Sequence, residues 1–140
     1  MSLSIDCLHQ FGSVQDGYDL HDGEEITREG EGRFLTDLLT EKAVRKISEH
    51  PQEKPLFLQL AYQAPHDPIQ RPPQHYLRMY GSMAHRLPFP DRSATITVSS
   101  STTIRPSLQA LDAGVGRLVD ALKAAGLYEN TVLVFSTGEL

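Results

Sequence analysis

The sequence predicts an α/β fold with a mainly parallel sheet and flanking helices. Three observations predict it. Two stretches repeat apolar residues at helical spacing, and two short runs are almost wholly apolar, as buried strands are. These four pieces alternate as helix, strand, long connection, helix, strand, and the connection is long enough for the crossover that parallel neighbours need.

The first thirty residues are rich in Gly, Asp and Glu, hold no sustained period and read as loops. Over residues 33–49, Phe34, Leu35, Leu38, Leu39, Ala43, Val44 and Ile47 make one apolar stripe, so a helix is expected there, with His50 and Pro51 as its stop. Within "KPLFLQLAYQAPHDP", residues 56–62 have the length and composition of a buried strand. Pro65, Pro68, Pro72 and Pro73 then force an irregular connection, with room for a helical turn over residues 75–80. Residues 81–104 include "SATITVSSSTTI", which has little to bury; a disordered Ser/Thr-rich insertion is expected, an exposed β-hairpin arm being the alternative. After Pro106, Leu108, Leu111, Val115, Leu118, Val119 and Leu122 define a second helix over residues 107–125, closed by Gly126. Residues 131–136 read as the second strand, parallel to the first, with His66 and Thr137 at the same edge of the sheet.

At 140 residues the chain suits one domain or a piece of a larger one, and 39% hydrophobic with 22% charged residues is near the globular average. A net charge of −5 argues against a nucleic-acid partner or an anionic membrane surface, both of which favour a basic face. No apolar run approaches the roughly 20 residues of a membrane span. Residues 1–12 lack the basic start and apolar centre of a signal peptide. Cys7 is the single cysteine, so no internal disulfide forms.

Ligands of open α/β sheets sit at the carboxyl ends of the strands, which directs attention to the residues after Tyr62 and after Phe135. His66, between Pro65 and Pro68, follows the first strand; an imidazole held there suits anion binding, proton transfer or metal ligation, and a loop histidine without a role is the bland alternative. The acidic "GYDLHDGEE" fails as a calcium loop. Counting back from Gly23, Asp22 fits the ligand pattern but Leu20 and Tyr18 do not, so a solvated acidic turn is expected. His9, His21, His50, His75 and His85 show no zinc spacing, and Cys7 with His9 lacks an orienting third partner. The chain holds no Gly-rich phosphate loop and no G-x-S-x-G elbow.

Taken together, "DGYDLHDGEE", "EKPLFLQLAYQAPHDPIQRPPQHYL" and "LDAGVGRLVDALKAAGLYENTVLVFST" resemble the sulfatase family, and its arylsulfatase B branch in particular. The resemblance implies an alkaline-phosphatase-like α/β domain that hydrolyses sulfuric esters with a formylglycine made from cysteine and a bound calcium ion. It further implies aryl sulfates or sulfated glycosaminoglycans as substrates, and a lysosomal or secreted enzyme. By position, His66 matches the family histidine that contacts the sulfate group, whereas Lys54 and Pro55 match the structural lead into the strand.

Other family features are missing. Cys7 is followed by Leu8, His9, Gln10 and Phe11, not by the hydroxyl residue, Pro, small residue and Arg of the nucleophile motif. The paired N-terminal aspartates, the upstream lysine–histidine pair and the downstream lysine are also absent, and the calcium-binding Asp-Asn after "VFST" is replaced by Gly138 and Glu139. The expectation is a partial catalytic domain over residues 14–140, with residues 1–13 unassigned. Alone it would be inactive, bind no calcium and expose unpaired strand edges. Alternatives are a non-catalytic relative that binds a sulfated glycan or a protein, and a purely structural scaffold. A donor sequence GTGAG read after the first base of an aspartate codon encodes Gly then Glu, so a retained intron or a gene-model artefact is the expected origin of Gly138 and Glu139, true divergence in a degenerate relative being the alternative.

Overall fold

The computed structural model describes residues 20–65, 72–78 and 98–136. Its body is a pair of packed helices, with a small hairpin, a short helix and two irregular apolar segments around them.

The hairpin comes first. Strands β1 (His21–Asp22) and β2 (Glu25–Ile26) pair antiparallel, His21 opposite Ile26 and Asp22 opposite Glu25. The loop between them is Gly23 and Glu24, and only the glycine has positive φ, at 72°, as a type II′ turn requires at its first central position. The Thr27 N–H closes the base of the hairpin on the Leu20 carbonyl at 2.8 Å.

Helix α1 (Leu35–Ser48) forms where the first apolar stripe predicts it. Asp37 in its first turn and Arg45 and Lys46 in its last complement the helix dipole. Leu38, Leu39, Ala43 and Ile47 are buried, and so are three polar residues of the same face, Thr36, Thr40 and Lys42. The Glu49 N–H closes the helix on the Arg45 carbonyl at 3.0 Å, just before His50 and Pro51.

Helix α2 (Gln74–Arg78) is the single turn expected after the prolines, and helix α3 (Val98–Ala124) is the principal partner of α1. Two features of α3 depart from the sequence reading. It starts at Val98, within the stretch assigned to the insertion, and carries Pro106 in its interior; residues 81–97 lie outside the described residues. Proline costs a helix one N–H donor and crowds the preceding turn, and here the helix tolerates both. The packed face also differs. Ser107, Ala110, Gly114 and Leu122 are buried, whereas Leu108 and Val115 of the expected stripe are exposed. Small side chains on the packed face let α1 and α3 approach closely, and the larger apolar residues turn to the flank.

The end of α3 follows its sequence. Gly126 has φ 70°, its N–H reaches the Lys123 carbonyl at 3.1 Å, and the Leu127 N–H reaches the Leu122 carbonyl at 2.9 Å. This paired 5→2 and 6→1 bonding is the Schellman motif that glycine favours. The Gln52 side chain adds a bond to the Ala125 carbonyl at 2.6 Å, tying the turn after α1 to the end of α3. A 3-10 turn (Tyr128–Asn130) follows.

The two predicted strands are not paired. Among the described residues, β1 and β2 are the paired strands and they are antiparallel; residues 56–62 and 131–136 are neither helical nor hydrogen-bonded into a ladder. Their apolar side chains are largely open to solvent, Phe57 at 89% and Val132 at 88%. The sequence of both runs is that of strands covered on two faces, and the described part of the chain supplies neither the faces nor the neighbours. The parallel sheet of the sequence reading therefore has no counterpart among the described residues, and His66 and Thr137, expected at its shared edge, lie outside them.

Candidate functional site

The residues before His66 are anchored to α1 by one side chain. The Tyr62 hydroxyl lies 2.7 Å from Thr40 Oγ1, and Thr40 Oγ1 lies 2.7 Å from the Thr36 carbonyl. A carbonyl only accepts, so the Thr40 hydrogen is committed to Thr36 and Tyr62 donates to Thr40. Gly114 of α3 makes room for this contact. A β-carbon at that position would stand 2.7 Å from Thr40 Oγ1 and 2.9 Å from the Tyr62 hydroxyl. Burial holds the Tyr62 phenol above its ordinary pKa, so it remains a neutral donor. The chain continues through Gln63 and Ala64 to Pro65, with a cis bond between Ala64 and Pro65. His66 itself lies outside the described residues.

A second anchor holds the other side of that connection. Tyr76 on α2 donates its hydroxyl to Asp37 Oδ1 at 2.9 Å, and its ring lies 6.4 Å from that of Phe34 and 4.0 Å from the His75 ring. Burial, joined by the hydrogen bond and charge of Asp37, pushes the Tyr76 phenol up to about 12. The positive charge of Arg117 on α3 acts on both tyrosines in the opposite direction. Asp37 and Thr40 are three residues apart, neighbours on the helix surface. Both ends of the connection that carries His66 are thus fastened to α1 within one helical turn. Pro72, Gln74, Leu77 and Arg78 line an open cleft beside α2.

The acidic turn is exposed at Gly23, Glu24 and Glu25, and one of its carboxylates, Asp22, meets a lysine of α1. Lys42 is a buried cation whose Nζ lies 2.8 Å from Glu29 and 3.3 Å from Asp22. Burial works against the Lys42 ammonium, but the hydrogen bonds and charges of Glu29 and Asp22 outweigh it and hold its pKa above the ordinary value. Its hydrogen bond and charge hold the Glu29 carboxyl below its own ordinary value. Asp22 is therefore engaged with a lysine of α1. Among the described residues no group of three or more His, Cys, Asp or Glu is placed to hold a metal ion, so no ligand set there fits the calcium that the resemblance implies. Cys7, Thr137, Gly138 and Glu139 lie outside the described residues.

Sequence reasoning did not single out Lys42, Thr40, Asp37, Tyr76 or Gly114. A signal existed for two of them. Thr40 and Lys42 fall among the apolar positions of α1, and a polar residue in an apolar stripe calls for a partner. Nothing in the sequence announces the partners themselves, which come from distant parts of the chain.

The family profile described as Sulfatase matches residues 5–139. The chain belongs to the sulfatase family, whose members have an alkaline-phosphatase-like fold, act on sulfate esters and generally bind a metal ion. It is similar to arylsulfatase J of Mus musculus, 26% identical over 122 residues that make up 86% of this chain and 18% of the mouse protein. It is also similar to an arylsulfatase of Klebsiella aerogenes, 29% identical over 150 residues, covering 79% of this chain and 32% of the relative. A third relative is the uncharacterized sulfatase YdeN of Escherichia coli (strain K12), 26% identical over 106 residues, 74% of this chain and 16% of that protein. The chain thus spans less than a third of the length of these curated relatives. No solved structure matches it at a significant level.

Proposed function

We propose that this chain is part of the catalytic domain of a sulfuric ester hydrolase of the arylsulfatase kind, with His66 as its contact to the sulfate group. The family match over residues 5–139 carries this reading, and the block "AYQAPHDP" supports the placement of His66. Sulfate esters bear a full negative charge, and cleavage places further charge on the departing oxygen. A cationic imidazole fixed beside that oxygen stabilises both. The anchors at Tyr62 and Tyr76 contribute by limiting where the connection can go, which is how a loop residue gains a defined aim. The finer assignment is to the arylsulfatase B branch, with aryl sulfates or sulfated glycosaminoglycans as substrates, in the lysosome or outside the cell. Calcium would belong after residues 131–136, where Gly138 offers no side chain and Glu139 a single carboxylate.

Binding tests this directly. Titration of the isotope-labelled chain with an aryl sulfate is expected to shift the His66 ring signals, with a dissociation constant no tighter than about 1 mM, since one charged contact acts nearly alone. His66→Ala is expected to abolish the remaining chemical-shift changes, and the parent phenol without sulfate to cause none. Equal shifts with sulfate and phenol would remove His66 from the role.

A further inference from the structure

The connection that carries His66 is tied at both ends by the same kind of bond to the same turn of helix. Tyr62 donates its hydroxyl to Thr40 Oγ1 at 2.7 Å, and Tyr76 donates its hydroxyl to Asp37 Oδ1 at 2.9 Å. Asp37 and Thr40 are neighbours on α1, where β-carbons three residues apart stand about 5–6 Å from one another. Residues 63–75 lie between the two tyrosines, and a flexible chain of that length would keep its ends roughly 20 Å apart on average. The two anchors together therefore select a small share of the paths open to the connection. Either one alone selects far less, because a chain tied at one end closes no loop. We infer that Asp37 is a positioning residue for the sulfate contact: through Tyr76 it fixes one end of the connection, and it works as a unit with Thr40, which fixes the other end through Tyr62.

The chemistry of Asp37 suits this indirect task. A carboxylate beside a sulfate ester would repel it, so Asp37 serves the ester through Tyr76 and not by touching it. Tyr76 is itself seated, its ring 6.4 Å from that of Phe34 at the start of α1. Burial, with Asp37 added, holds the Tyr76 phenol at about 12, so near neutral pH its proton stays available to Asp37. The inference rests on the reading of His66 as the sulfate contact.

Titration of the isotope-labelled chain with para-nitrophenyl sulfate, followed at the His66 ring signals, tests it. Tyr76→Phe, which removes one hydroxyl, and Asp37→Ala are each expected to raise the dissociation constant about fivefold, the scale of one hydrogen bond. Asp37→Asn keeps an oxygen that accepts from Tyr76 and is expected to bring the constant back to within about twofold of the parent. Tyr62→Phe combined with Tyr76→Phe is expected to cost little more than either alone, whereas independent anchors would multiply to about 25-fold. The His66 titration midpoint is expected to stay put in Asp37→Asn; a move of more than about half a pH unit would mean that the Asp37 charge acts on His66 directly, against the inference. Far-ultraviolet dichroism checks that the helices persist; should Asp37→Ala lose them, Tyr76→Phe decides alone. Parent-like binding by Tyr76→Phe, an Asp37→Asn as weak as Asp37→Ala, or fully multiplied losses would each overturn the inference and leave His66 in its role. A parent chain whose His66 signals ignore the ester would instead overturn that role, and the inference with it.

Discussion

Gly114 shows how a residue with no side chain organises its surroundings. Three elements meet at it: α1 through Thr40, α3 through its own backbone, and the segment that leads to His66 through Tyr62. Alanine there places a methyl group at 2.7 Å from Thr40 Oγ1 and 2.9 Å from the Tyr62 hydroxyl, well inside contact distance. The Thr40 oxygen is held in place because it is also bonded to the Thr36 carbonyl, so the Tyr62 hydroxyl is the atom that has to give. Gly114→Ala is therefore expected to destabilise the helix pair by about 1–3 kcal/mol, as overpacking does, despite the higher helix propensity of alanine. Urea unfolding followed by helical dichroism measures it, and a variant at least as stable as the parent would show that Tyr62 moves away at no cost.

The hairpin is the element whose position rests most on charge. Lys42 of α1 holds it through Asp22 and Glu29, and the two ionisations set a pH window. Glu29 has a lowered folded pKa, so its contribution is present above the ordinary value of 4.5 and is lost as pH falls through the folded value. Lys42 has a raised one, so its contribution is complete below the ordinary value of 10.5 and is lost as pH rises through the folded value. Docking should thus hold between these limits and loosen outside them. The protection of the Thr27 amide, whose N–H closes the hairpin, is expected to fall on acidification once the intrinsic slowing of exchange is divided out, and Glu29→Gln to weaken that response. The helices were legible in the sequence to different degrees. The extent of α1 was written in its apolar stripe, and Gly126 marked the end of α3. The start and packed face of α3 were not. A long Ser/Thr-rich stretch with an interior proline argues locally against a helix, and burial of Ser107 and Gly114 is decided by α1.

At the scale of the whole molecule, family membership was legible because three ordered blocks carry it across most of the chain, and the match over residues 5–139 agrees. The sheet was not recovered because strands of this kind are stabilised by neighbours, and here residues 56–62 and 131–136 have none among the described residues. For His66 the sequence supplied the residue and the structure supplied its two flanking anchors. The 140 residues offer no motif for a formylglycine nucleophile. That group is a covalent catalyst, so its loss removes a reaction route as well as a contact. The isolated chain is expected to hydrolyse no aryl sulfate above the rate of a His66→Ala control, with release of the phenol as the measurement. Turnover in excess of that control would mean that the chain contains a nucleophile of another kind.

The two tyrosine anchors also bear on how such a protein can diversify. Tyr62 and Tyr76 close a loop of the chain on one turn of α1, and the free energy of closing a loop grows only with the logarithm of its length. Doubling the number of residues between the anchors costs roughly 0.6 kcal/mol, less than a single hydrogen bond typically contributes. Insertions and deletions between Pro65 and Pro72 are therefore nearly neutral for the helix pair while they reshape what surrounds His66. On the proposed reading of His66 as the contact to the sulfate group, a lineage is free to vary the surroundings of that contact without first having to secure a more stable frame.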